Sequence, residues 1–343
     1  MRRGLSIFLF ACFLGIVLLV RNIWTLLSLL VEDAAADAIH RAELPSMNSS
    51  LIDQRPQIIP KIIHQTYKDE SIPDVWFGAQ KSCIELHPDY EYILWTDEKS
   101  RNFIAAKYPW FLKTFDSYKY PIQRADSIRY FVLAYYGGTY IDLDDGCNRR
   151  LDPLLAYPAW LRRTVPTGIS NDAMGSVPQH PFFLRVIELL QQYDRDWPLP
   201  YITVMYSTGP LFLSVIWKEY IQVPPSETNR IRVLMQDEYK KHPWSFFTHH
   251  AGNSWHGNDA QLIFWVNIYR VPCQTIAYKH RWANTGYSSL SAASSSLSPS
   301  AAASSVPMVE SYDEGISIDT AIPRPLLFQS ATYMMYRHGL NMY

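Results

Sequence analysis

The chain has almost no net charge. Its 31 Lys and Arg residues nearly cancel 32 Asp and Glu, a formal balance of −1. No global field draws nucleic acid or another polyanion, so any anion site is local. Cysteine is scarce as well, with four residues in 343. Cys12 lies in an N-terminal apolar run. Cys83, Cys147 and Cys273 allow at most one internal disulfide, in a pairing the spacing does not settle, and leave one residue over. No zinc spacing is present. The last twenty residues regain apolar side chains, but Pro325, Gln329 and Arg337 speak against a second span. Ser288 to Ser305, nearly all Ser, Ala and Leu with Pro299, cannot build a packed core and reads as disordered.

What the chain has in quantity is apolar surface, 48% hydrophobic and 14% aromatic residues, enough for one substantial core. We divide it into a cytosolic tail (1–4), a signal anchor (5–31), a luminal stem (32–56), a catalytic domain (57–286), a low-complexity segment (287–322) and a C-terminal tail (323–343). The anchor is interrupted only by Arg21 and Asn22. Arg2 and Arg3 ahead of it, with Glu32 and Asp33 behind, predict a short cytosolic end and a luminal remainder. A cleaved signal peptide is the alternative, with processing sites among Ala34, Ala35, Ala36 and Ala38. The stem carries the single glycosylation sequon, Asn48-Ser49-Ser50, and its lack of periodicity suits a spacer that holds the domain off the membrane.

The stretch from Pro121 to Asn148 organises the rest. Ile128, Phe131, Val132 and Tyr135 recur at helical spacing from Ile122 to Tyr136, and Gly137-Gly138 stops the helix. Thr139 to Leu143 reads as a strand whose alternation puts Tyr140, Asp142 and Asp144 on one face. Like charges this close raise each other's pKa or require a cation. Hard oxygen ligands suit manganese or magnesium, which keep coordination positions for substrate phosphates. A calcium loop is a poor fit, since Gly146 stands where an oxygen ligand is needed. A phosphatase with an Asp nucleophile remains a minor rival.

Upstream, Ile58 to Ile63 and Tyr90 to Trp95 predict two buried strands around a helix from Pro73 to His87. This alternation predicts an α/β domain with a mostly parallel sheet, covered on both faces. Ligands of such sheets bind beyond the carboxyl ends of the strands, where Thr66-Tyr67, Thr96-Asp97 and Asp142 to Asp145 all fall. Thr164 to Ser170 reads as a further strand. Phe182 to Tyr193 reads as a helix with Phe183, Val186, Ile187 and Leu190 in the core, and Ser207 to Pro210 introduces another helix.

The runs Ala125-Asp126-Ser127-Ile128-Arg129-Tyr130 and Gly137 to Asp144 resemble the core of the Asp-x-Asp sugar transferases, glycosyltransferase family 32, which include the fungal inositol phosphoceramide mannosyltransferases. Ile59 to Thr66 and His249-His250 with Ser254-Trp255-His256 extend the match to roughly Gln57 to Trp265. The resemblance implies a nucleotide-sugar-binding domain of the GT-A type and retention of anomeric configuration. It implies GDP-mannose as donor, inositol phosphoceramide as membrane-lipid acceptor, and a Golgi location. It also leaves room for a regulatory membrane subunit. By the same resemblance Asp142, Asp144 and His249 hold the metal, while Asp126 and Arg129, with Arg124 as auxiliary, position the donor. Asp145 touches sugar or metal, Thr66 and Tyr67 lie on the donor side, and Trp255 packs against the cleft. A transferase acting on protein glycans or polysaccharide, and a catalytically silent partner subunit, are the alternatives. The fungal members can carry a second span near the C-terminus, a feature not seen in this sequence.

Overall fold

The computed structural model describes residues 2–45, 55–164, 167–235 and 244–250. The sequon at Asn48, Cys273, the Ser254 to His256 cluster with Trp255, the low-complexity segment and the tail lie outside the described residues. In chain order the elements are α1 (Arg2–Leu29), β1 (Ile62–Thr66), α2 (Asp74–Leu86), β2 (Glu91–Trp95), α3 (Asp97–Lys107), α4 (Leu112–Ser117), α5 (Pro121–Tyr136) and β3 (Gly138–Ile141). There follow β4 (Asp145–Cys147), β5 (Ala159–Arg163), β6 (Ile169–Ser176), α6 (Pro181–Tyr193), α7 (Pro200–Ser207), α8 (Pro210–Ile221), β7 (Ile231–Leu234) and β8 (Phe247–His249).

Six strands form one sheet in the order β2-β1-β3-β6-β5-β7. β1 pairs in parallel with β2 and β3, and β5 with β7, while β6 runs antiparallel to both β3 and β5. The α/β expectation holds, with β6 inserted against the prevailing direction. Neighbouring residues along a strand point to opposite faces. Tyr140, Met174, Leu161 and Val233 accordingly enter one core, with Phe131, Phe182, Phe212 and Trp217 from the helices. Ile141, Ala173, Trp160 and Leu234 enter the other, with Cys83, Cys147 and Phe247.

α5 is the central helix, and ten consecutive or near-consecutive side chains from Gln123 to Ala134 are buried in it. Pro121 begins it, where a missing N–H costs nothing. Gln123 accepts from the Tyr120 N–H and donates to Ser207 Oγ. Gly137 ends it at φ 65°, followed by Gly138 at φ 89°. A Cβ at Gly137 would lie 2.7 Å from the Ser176 carbonyl and Pro178, so the turn admits only glycine. The Gly137 carbonyl accepts from His64 Nε2 at 2.9 Å, and His64 Nδ1 accepts from Trp95 Nε1 at 3.1 Å. This neutral imidazole ties β1, β2 and the end of α5 together. Burial lowers its pKa to about 4.

Three sequence expectations change. Thr164 to Ser170 is not one strand: β5 ends at Arg163, the chain turns at Gly168 (φ 89°), and β6 returns. The first isoleucines do not belong to β1, which starts at Ile62; Ile58 is exposed and Ile59 is buried before the strand. The third concerns the stem. Residues 32–45 are packed on the domain rather than extended as a spacer. Ile39 N–H donates to the Val233 carbonyl at 2.8 Å, and Ala38 bridges Val233 in parallel. Arg230 pairs with Asp37 at 2.8 Å, Arg232 with Glu43 at 2.8 Å, and Lys218 with Glu32. The segment looked unstructured because its partners lie nearly 200 residues later.

One disulfide joins Cys83 of α2 to Cys147 of β4, across 64 residues. Between Asp145 and Cys147 β4 pairs antiparallel with β8, Asp145 facing His249. The disulfide and the small ribbon fasten the acidic turn to α2 on one side and to the late His segment on the other.

Candidate active site

The carboxyl ends of β1, β2 and β3 open into one cleft of about 820 Å³. Thr66, Tyr67, Lys68 and Trp76 line it beside Trp95, Asp97 and Ser100; Arg124, Arg129, Asp142 and Asp144 line it farther along, with Pro200, Tyr201 and Val204 of α7. All three strand ends singled out from the sequence therefore meet in one place.

β3 ends at Ile141, and Asp142 to Asp145 form a turn closed by Asp145 N–H donating to the Asp142 carbonyl at 3.0 Å. The strand alternation nevertheless carries through its first residue. Tyr140 OH donates to Asp142 Oδ1 at 2.6 Å and accepts from Thr66 Oγ1 at 2.8 Å. Arg129 Nη1 lies 3.1 Å from the same Asp142 oxygen, and its guanidinium covers the Tyr140 ring at 4.6 Å. Burial pushes the Asp142 carboxyl up despite Arg129, and Asp144 and Asp172 add to the shift. Asp144 is raised for the same first reason, against the opposing charge of His249. The cleft thus holds two carboxyls whose ionised forms are disfavoured, first by burial and then by their acidic neighbours.

Asp126 is placed otherwise than expected. It is 3% exposed, behind Arg129 and away from the cleft. Its Oδ1 accepts from Asn171 Nδ2 at 2.9 Å and lies 3.1 Å from Arg129 Nη2, and its Oδ2 accepts from Thr208 Oγ1 at 3.1 Å. Arg129 Nη1 also donates to the Asn171 carbonyl at 2.6 Å. The guanidinium is a bridge, held from behind by Asp126 and Asn171 and presented to Asp142 in front. Burial works against its charge, yet Asp142, Tyr140 and Asp126 keep it firmly protonated.

Asp145 is a second correction. It is fully buried and does not line the cleft. Arg162 Nη1 donates to its Oδ2 at 2.5 Å and His249 Nδ1 approaches its Oδ1 at 3.0 Å. Burial alone would raise Asp145; Arg162 and His249 together hold it low. The hydrogen bond to Asp145 in turn lifts His249 to about 9.

Among the described residues no three His, Cys, Asp or Glu side chains form a ready metal cage. Asp142, Asp144 and His249 are therefore not a preformed triad. The donor set still fits a hard divalent cation. Two oxygen ligands with raised pKa values face a cleft, an arrangement a cation relieves, and such ions are commonly held by one or two carboxylates plus substrate phosphates. His249 turns Nδ1 to the Asp145 carboxylate, the kind of partner that backs metal-ligating imidazoles.

Sequence reasoning missed Tyr140, Asn171 and Arg162 as parts of this site. Tyr140 had a signal, since strand period two places it beside Asp142. Asn171 and Arg162 come from the unrecognised β5–β6 hairpin and had none. Thr208, read from the sequence only as part of the Ser207 to Pro210 helix start, donates to Asp126.

Residues 73–160 match the family model described as glycosyltransferase sugar-binding region containing DXD motif. The chain is 50% identical over 277 residues to mannosyl phosphorylinositol ceramide synthase CSH1 of Saccharomyces cerevisiae, covering 80% of this chain and 74% of that protein. It is 54% identical over 248 residues to mannosyl phosphorylinositol ceramide synthase SUR1 of the same yeast, covering 72% of this chain and 64% of that protein. Among solved structures it resembles PaToxG Glycosyltransferase at 18% identity and a TM-score of 0.37, over 48% of this chain and 70% of that one.

Proposed function

The chain belongs to the DXD-containing glycosyltransferases, in the group formed by the mannosyl phosphorylinositol ceramide synthases, and from that premise we propose that it moves mannose from GDP-mannose to inositol phosphoceramide. The observation that carries the reading is the pair Asp142 and Asp144, opening beside Arg129 into the cleft. Asp142 and Asp144, with His249 approaching through β8, would hold manganese or magnesium, which supplies charge neutralisation to the leaving diphosphate.

The remaining steps use the chain's own groups. Arg129 offers planar, fixed-charge donors to the diphosphate. Asp126, with Asn171 and Thr208 as its partners, positions that guanidinium. Tyr140 and Thr66 hold Asp142 in place. Tyr67 and Trp76 give the far end of the cleft apolar walls, suited to a base and ribose. Retention follows if the C1–O bond to phosphate breaks and the C1–O bond to inositol forms on the same face, the inositol proton passing to the leaving phosphate oxygen. Among the described residues no side chain stands out as a covalent nucleophile.

For location we propose a single-pass type II protein of the Golgi membrane. Among the described residues one helix, α1, is long and apolar enough to cross a bilayer, between Gly4 and Arg21. The buried Leu29 and Ala34 at its lower end support a retained anchor over a removed signal peptide. The Cys83–Cys147 disulfide suits an oxidising lumen.

The test is transfer and donor hydrolysis by the full chain in detergent, with several nucleotide sugars, manganese or chelator, and inositol phosphoceramide. Manganese-dependent mannose transfer from GDP-mannose, abolished in Asp142→Ala and in Asp144→Ala, is expected. Full activity in both variants removes the mechanism. Donor binding without transfer points to a missing regulatory subunit or another acceptor.

A further inference from the structure

The domain meets its anchor without a spacer. α1 runs 28 residues, about 42 Å, and its apolar window from Gly4 to Arg21 is wholly exposed. Only five residues later Leu26 packs on the domain core, and Leu29 is buried in it. The Leu29 carbonyl accepts from Thr167 Oγ1, the Glu32 carbonyl accepts from Arg163 Nη2 at 2.6 Å, and the Glu32 carboxylate pairs with Lys218. Five helical residues rise about 8 Å. The domain surface is therefore held within roughly that distance of the end of the membrane-spanning window.

The second observation is where apolar surface remains. Outside α1 and its end, eight large hydrophobic side chains are exposed among the described residues, and four of them are close chain neighbours of cleft-lining residues. Val75 (66% exposed) and Phe77 (55%) sit either side of the cleft-lining Trp76 on α2. Trp197 (43%) and Leu199 (38%) lead into the cleft-lining Pro200 and Tyr201 at the start of α7. Single exposed apolar residues are ordinary. Pairs beside the cleft-lining residues of two separate elements are not. α8 packs against both α1 and α7, so one helix carries the anchor and the element that follows one of the pairs.

We propose that the catalytic domain lies flush on the bilayer with these two apolar lips in the membrane interface, so that a lipid acceptor presents its headgroup to the cleft without leaving the membrane. The inference rests on the lipid-acceptor reading above. Aromatic and aliphatic side chains at that depth bury apolar area while their backbone stays wet. The acceptor's chains then remain in lipid, and only its inositol has to reach the cleft.

The experiment uses the full chain in phosphatidylcholine vesicles containing inositol phosphoceramide at varied surface density. Val75→Ser with Phe77→Ser, and separately Trp197→Ser with Leu199→Ser, should each raise the apparent KM for the lipid acceptor about tenfold, with hydrolysis of GDP-mannose and its KM unchanged. A Phe77→Trp chain should gain fluorescence that lipids brominated near the glycerol quench. Unchanged acceptor KM in both double variants, together with no added quenching, overturns the proposal. So does a change of oligomeric state in detergent with acceptor KM intact, since the lips then cover a second copy of the chain. Absence of donor hydrolysis by the parent chain sinks the functional reading instead, and the quenching still decides membrane contact by itself.

Discussion

Asp144 and Asp145 are adjacent in sequence and opposite in circumstance. Asp145 is buried between Arg162 and His249, and the fold supplies all the positive charge it needs. Asp144 lines the cleft with its carboxyl raised by burial and by neighbouring aspartates. Asp126 and Asp142 repeat the contrast across Arg129, one enclosed by donors and the other at the opening. Carboxylates that the chain neutralises itself act as struts. Those that open into the cleft are the ones positioned to meet a ligand.

Substitution should separate the two classes. Asp144→Asn is expected to lower mannose transfer on the order of a thousand-fold, equivalent to about 4 kcal/mol, with a melting temperature unchanged or higher because repulsion is relieved. Asp145→Asn leaves the buried Arg162 poorly compensated and should cost about 3 kcal/mol of stability. Thermal melts alongside donor turnover measure both. A strongly destabilised Asp144→Asn would merge the classes and break the contrast.

Acid provides a milder probe of the frame behind the cleft. His64 and His180 are both lowered to about 4, first by burial, from an ordinary value of 6.5. The unfolded chain therefore takes up protons before the folded one does. Their contribution to stability is complete above pH 6.5 and is lost as pH falls toward about 4, by up to about 1.4 kcal/mol per pH unit for each histidine. The raised Asp142 and Asp144 carboxyls oppose the histidines over the same range, so urea melts at pH 7 and pH 5 are compared between the parent and His64→Gln, and stability at pH 7 relative to pH 5 should be lower in the variant. An equal difference in the two chains would mean that the His64 imidazole is charged in the fold.

The smallest expected effect lies at Thr208. Thr208→Val removes one donor from Asp126 while Asn171 and Arg129 remain, so about 1 kcal/mol of stability and a few-fold loss of transfer are expected. If activity fell as far as in Asp144→Asn, Thr208 would belong with the ligand-facing groups.

The features readable from the sequence were those with local causes. α5 announced itself by its periodicity and the Gly137-Gly138 stop, α2 and α6 by their apolar spacing, and the cleft by three strand ends rich in polar residues. The β5–β6 hairpin was hidden because Arg162 and Arg163 look like surface residues. They are buried because Asp145, Asp172 and the Glu32 carbonyl come to them from elsewhere. α3 was equally obscure: Asp97-Glu98-Lys99-Ser100-Arg101 has little apolar patterning, and the Thr96 cap holds its start by accepting from Lys99 N–H. α7, with Tyr, Ile, Thr and Val in succession, carries strand-forming residues in a helix that tertiary packing imposes. The disulfide was one of several possible pairings until the fold brought Cys83 and Cys147 together.

The clamp between the anchor and the domain also has a history in time. Synthesis proceeds from α1 onward, so the apolar helix is made first, whereas Val233 and Arg232, which grip Ala38 and Asp37, follow 195 residues behind. At ribosomal rates of about 5–20 residues per second that interval lasts about 10–40 s. For all of it the N-terminal helix and the segment behind it wait without these two partners. The last strand of the large sheet to emerge, β7, is the one that fastens the segment behind the first helix, so the earliest part of the chain is among the last to be locked in place.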